Sequence, residues 1–115
     1  MASRRKEYQE DAKLRVLQIL NKNPQMTSRE IAQKVGISNG SAYYLLISLI
    51  DKGLLKYASF KENPRKIKYS YILTPKGIRE KSMLSSKFLV RKKQEYETLK
   101  KVIANLERDV GSDIN

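Results

Sequence analysis

Two short stretches of this sequence hold the side chains with the most to offer chemically. In "SNGSAYY", Ser38, Asn39, Ser41, Tyr43 and Tyr44 place an amide and four hydroxyls around Gly40. In "KENPRKIK", Lys61, Arg65, Lys66 and Lys68 stand against a single carboxylate, Glu62. The first is a set of hydrogen-bond donors and acceptors suited to reading a partner's edge. The second is a set of cations suited to phosphate. Neither is built for catalysis. The chain has no His and no Cys, which removes the commonest general base, thiolate nucleophiles, disulfides, and imidazole or thiolate metal ligands. The carboxylates are scattered, mostly at helical spacing from Lys or Arg. No catalytic residue, metal or cofactor is expected, and an enzyme is the weakest of the functional readings.

The charge balance agrees with the cationic stretch. In 115 residues, 24 Lys and Arg face 12 Asp and Glu, a net charge of +12. An excess of that size implies an anionic partner, most simply nucleic acid. An anionic membrane surface is the rival, and a merely soluble basic protein the bland alternative. No apolar run approaches a membrane span, and "MASRRKEYQEDAK" lacks the hydrophobic segment of a secretory signal. The expectation is a soluble cytoplasmic protein with no membrane partner and one modest core.

Those stretches must be held by regular elements, and the apolar pattern indicates which. From about Lys6 to Lys22, Ala12, Leu14, Val16, Leu17, Ile19 and Leu20 form the apolar face of an amphipathic helix that Asn23-Pro24 stops. Thr27 opens T-S-R-E, a capping box for a short helix through Val35, and Gly36 suits the left-handed position after it. Ser38 caps a third helix that runs to about Lys52 and ends at Gly53. Leu54 to Phe60 reads as a strand, residues 62–66 as a turn, and Ile67 to Leu73 as its partner, with Ile67, Tyr69, Tyr71 and Leu73 alternating against Lys68, Ser70 and Ile72. Thr74-Pro75 starts a last helix, with Pro75 where its missing N–H costs nothing. That helix continues to about Asp109, some 35 residues or roughly 50 Å.

Ile31, Ala32, Val35, Gly36, Ile37, Ala42 and Leu45 fit the pattern of two helices joined by a tight turn. Ala32 permits close approach, Gly36 makes the turn, and Ile37 plugs the corner. With the hairpin behind it, the predicted fold is mainly α with a small β-hairpin: a winged helix-turn-helix followed by a long C-terminal helix. "SREIAQKVGISNGSAYYLLISLIDKGLL" followed by "YILTPKGI" resembles the core of MarR-type bacterial transcription regulators. With "EDAKLRVLQIL" and "FLVRKKQEYETLKKVIANL", the whole chain is similar to a short subgroup associated with exopolysaccharide gene clusters. The resemblance implies a homodimer on double-stranded DNA, with helix 38–52 in the major groove and the wing on the flanking backbone or minor groove. The chain departs from the family in lacking the extra helices that usually interlace into the dimer and shape a small-ligand pocket, which puts a small-molecule effector in doubt.

In a helix-turn-helix the N-terminal tip of the second helix reaches base edges, here Ser38, Asn39, Gly40, Ser41, Tyr43 and Tyr44. Asn39 suits a bidentate contact with adenine. Each tyrosine either touches DNA or packs against the wing or first helix. Lys61, Arg65, Lys66 and Lys68 either bind phosphate or form a solvated edge that guards a strand from aggregation. Arg29, in the first turn of its helix, is a phosphate ligand or simply solvated. Leu89, Tyr96, Leu99, Ile103, Leu106 and Val110 recur at spacings of three and four, a heptad seam with Lys92 where one apolar residue belongs. The expected division is residues 1–73 for DNA binding and 74–115 for dimerisation through a coiled coil. The alternative is a winged-helix protein-interaction adaptor with a coiled-coil arm, since the fold serves both purposes.

Overall fold

The computed structural model describes residues 2–114. The elements run α1 (Ala2–Lys22), α2 (Ser28–Val35), α3 (Asn39–Asp51), β1 (Leu55–Asn63), β2 (Lys66–Leu73) and α4 (Pro75–Ile114). The chain forms two compact units that divide between Leu84 and Ser85. No helix among the described residues is long and apolar enough to cross a membrane.

The first unit is built on α1. Leu14, Val16, Leu17 and Leu20 are buried, and around them sit Ile31 and Ala32 of α2, Ala42, Leu46 and Leu49 of α3, Leu54, Leu55 and Leu84. Burial of each large side chain contributes about 1.5–3 kcal/mol. Helix α1 begins at Ala2, ahead of the expected Lys6, because "SRRKEYQED" contains neither Pro nor Gly to stop it. At its other end the Pro24 carbonyl accepts from the Tyr71 amide at 2.8 Å, so the α1–α2 connection is tied to the hairpin.

Strands β1 and β2 pair antiparallel, Leu55 opposite Leu73 and Tyr57 opposite Tyr71. They are longer than the sequence pattern suggests and leave a two-residue turn, Pro64-Arg65. The Asn63 side-chain carbonyl accepts from the Arg65 amide at 2.9 Å, and Pro64 fixes the backbone between them. Glu62 is the extra residue of a bulge between Lys61 and Asn63. Only the base of the hairpin is covered. Leu55 and Ser70 are buried there, whereas Ile67 and Tyr69 nearer the tip are exposed.

Thr74 closes the unit onto α4. Its hydroxyl donates to the Gly53 carbonyl at 2.6 Å and accepts from the Gly77 amide at 3.0 Å, capping the helix. Gly77 lies against the backbone of Leu54, where a Cβ would collide with the carbonyl oxygen. An ion pair of 2.9 Å between Lys13 and Glu80 joins α1 to the start of α4. The helix then continues through Gly111 to Ile114, past the expected end near Asp109. A single glycine costs a helix only about 1 kcal/mol relative to alanine, and no proline follows to end it.

Candidate nucleic-acid interface

Local hydrogen bonds set the position of α3. The Thr27 hydroxyl accepts from the Glu30 amide at 3.1 Å, and a Glu30 carboxylate oxygen accepts from the Thr27 amide at 3.3 Å. At the far end of α2, Gly36 takes φ 78°, and the amides of Gly36 and Ile37 both donate to the Ala32 carbonyl. Ser38 then caps α3: its hydroxyl accepts from the Ser41 amide at 3.0 Å and lies 2.9 Å from the Ser41 hydroxyl. Both caps and the turn are thus fixed within a few residues of chain.

With its termini fixed, α3 buries Ala42, Leu46 and Leu49 and turns its first residues outward. Ser38, Asn39, Gly40 and Ser41 are all exposed. Tyr43 is 56% and Tyr44 76% exposed, so neither ring is packed into the core. The two rings meet edge to face at 6.3 Å. Leu45 is half-buried, as are Ser48 and Ile50, while Ile47 is exposed. Gly40 has open space where a Cβ would stand. Arg29 is exposed in the first turn of α2.

On the wing, Lys61, Arg65 and Lys66 are exposed and Lys68 is half-buried. The bulge aims Glu62 back at two of them, 3.5 Å from the Lys66 amine and 3.1 Å from that of Lys68. Exposed pairs of this kind hold about 1 kcal/mol or less, so a phosphate can displace them. In the second unit, Leu89, Tyr96, Leu99, Ile103, Leu106 and Val110 are all exposed.

The hairpin also carries an aromatic cluster that the sequence pattern does not announce. Tyr57 stacks on Tyr69 with ring centroids 5.5 Å apart and planes 6° from parallel, and Tyr71 tilts against Tyr57 at 5.0 Å. These rings and Lys68 form one wall of a cleft of about 380 Å³, and residues 25–28 form the other. Burial, then the neighbouring phenols of Tyr57 and Tyr43, push the Tyr71 phenol above its ordinary value. The available signal is register: once Tyr57 faces Tyr71, Tyr69 falls one diagonal away on the same face.

Helix α2, a glycine turn, an exposed α3 tip and a basic hairpin together invite comparison with known folds. Residues 9–56, from within α1 to the start of β1, match the model of a family described as winged helix-turn-helix DNA-binding. The fold is a winged helix-turn-helix. Among solved structures, the winged helix is similar to the PcaV transcriptional regulator of Streptomyces coelicolor, solved with its natural ligand. The identity is 21%, over 90% of this chain and 74% of that one, with a TM-score of 0.61. It is similar to a MepR mutant of Staphylococcus aureus bound to an oligodeoxyribonucleotide: 20% identity, 95% and 88% coverage, TM-score 0.60. It is also similar to CouR, a transcriptional repressor bound to a 23-mer DNA duplex: 26% identity, 64% and 50% coverage, TM-score 0.52. No curated protein matches this winged helix. The matched model is described as DNA-binding, and the structural likenesses share its fold.

Proposed function

We propose that this chain is a MarR-type transcription regulator that binds double-stranded DNA sequence-specifically as a homodimer. The observation that carries the reading is the split of α3. Ala42, Leu46 and Leu49 anchor it in the core, while Ser38, Asn39, Gly40, Ser41, Tyr43 and Tyr44 are left outward at its tip. A buried seam beneath an exposed polar tip is what a helix needs to enter a major groove without moving. Residues 38–52 enter the groove, Asn39 offers its amide to adenine, and the tyrosines supply hydroxyls to phosphate or ring faces to sugar and thymine methyl.

The wing, residues 61–68, contacts the flanking backbone or minor groove through Lys61, Arg65, Lys66 and Lys68, and Arg29 holds a further phosphate. These contacts supply much of the affinity, and the α3 tip supplies the choice of sequence. A net charge of +12 supports the reading, since an adaptor between proteins has no use for it. DNA binding belongs to residues 1–73 and dimerisation to 74–115, where Leu89, Tyr96, Leu99, Ile103, Leu106 and Val110 form a coiled-coil seam. The family and the exopolysaccharide-associated subgroup are supported by sequence resemblance, and a cytoplasmic site of action follows from the DNA partner.

Selection of bound sites from random duplex DNA tests the proposal. The expected result is an enriched motif with two-fold symmetry. Failure to bind any duplex at low salt would instead leave the adaptor reading.

A further inference from the structure

We propose that the second unit pairs with a second copy of itself as a parallel, in-register, two-stranded coiled coil. The inference rests on the homodimer reading above and specifies its geometry. With Leu89 at position a of a heptad, the a column is Leu89, Tyr96, Ile103 and Val110, and the d column is Lys92, Leu99, Leu106 and Asp113. The layers from Leu99 to Val110 put β-branched Ile103 and Val110 at a and leucine at d, the combination that favours two parallel strands, with Tyr96 the a residue ahead of them. In that arrangement each apolar a or d side chain meets its own counterpart, and six apolar layers are closed. Glu95, just before one a position, then lies opposite Lys100 of the other copy, an attractive pair formed twice.

The rival is an antiparallel pair. Set so that Ile103 faces Leu106, it joins Lys100 to Glu107, also twice. It leaves Leu89 beyond the overlap and sets Tyr96 against Asp113, so it closes fewer apolar layers. A parallel pair has one liability, the meeting of Lys92 with its own counterpart. The side chain is already drawn off the seam. Its amine lies 3.0 Å from a Glu95 carboxylate oxygen and 5.1 Å from the centre of the Phe88 ring. Phe88 and Glu95 both belong to the column flanking the seam, so Lys92 presents its aliphatic stem at the layer and its charge beside it.

The absence of cysteine from the sequence makes the test clean. Single substitutions Val110→Cys, in the seam, and Lys101→Cys, on the outer face, are made in the full chain and oxidised mildly, with sedimentation on the reduced proteins. The proposal expects a dimer by sedimentation, near-complete cross-linking of V110C to itself, and little for K101C. In the antiparallel pair V110C faces Leu99, and the two copies of V110C stand about 16 Å apart by helical rise, beyond disulfide reach. A dimer in which V110C fails to cross-link to itself, but a mixture of V110C and Leu99→Cys chains does cross-link, overturns the parallel geometry. A trimer overturns the two-stranded assignment. A monomer at every concentration overturns the homodimer reading on which the inference rests.

Discussion

Asn39 and Glu62 are single residues whose roles separate most sharply by experiment. Asn39 is the one exposed carboxamide at the α3 tip. Asn39→Ala should relax sequence preference at one position by about 1–3 kcal/mol and leave binding to unrelated duplexes nearly unchanged, as measured by competition titrations. Glu62 works in the other direction. It draws the Lys66 and Lys68 amines to 3.5 and 3.1 Å, so Glu62→Gln releases both for phosphate. Affinity for every duplex should rise a few-fold in the variant, with a steeper salt dependence; weaker binding would contradict the wing's role. Tyr71 carries a pH prediction. A phenol whose folded-state pKa is raised adds stability that is complete below the unfolded value, about 10, and is lost as pH climbs through the folded one. Tyr71→Phe should therefore flatten the alkaline fall in stability, followed by circular dichroism. Tyr43 and Tyr44 are open between core and edge in the sequence, because adjacent aromatic residues in an apolar run fit either face. Their exposure depends on which stripe the core claims.

Among the elements, those closed by neighbours in sequence are the most legible. The Thr27 capping box, the left-handed Gly36 and the Ser38 cap each involve residues no more than four apart, so their chemistry is written out locally. The hairpin is only partly so. Its bulge at Glu62 and the Tyr57–Tyr69–Tyr71 cluster depend on register between strands, which no single strand encodes. The wing as an element should act through charge. Changing Arg65 and Lys66 together to alanine should weaken binding to all sequences alike. In titrations over a range of salt, the slope should flatten by about 0.9 for each phosphate left without its cation. The start of α4 depends on Gly77, for which neither spacing nor periodicity supplies a reason. Its need arises from the Leu54 carbonyl lying against it. Gly77→Ala should lower stability by about 1–3 kcal/mol in denaturant unfolding, the usual cost of overpacking against backbone that must shift.

For the whole molecule, composition is the most direct guide. An excess of +12 suits an anionic partner, and the sequence holds no imidazole or thiolate. The winged helix then gives that charge a shape, a buried seam under an outward tip with a basic hairpin in the same compact unit. The α4 seam residues, all exposed in the single chain, are the surface that the proposed second copy covers. The most direct test of the DNA-binding account is an equilibrium titration of the full chain against a selected duplex and a scrambled one at several salt concentrations. The account predicts tighter binding to the selected duplex, with both affinities falling linearly in log–log form as salt rises. Absence of binding to either duplex at low salt, or binding indifferent to salt, would contradict it.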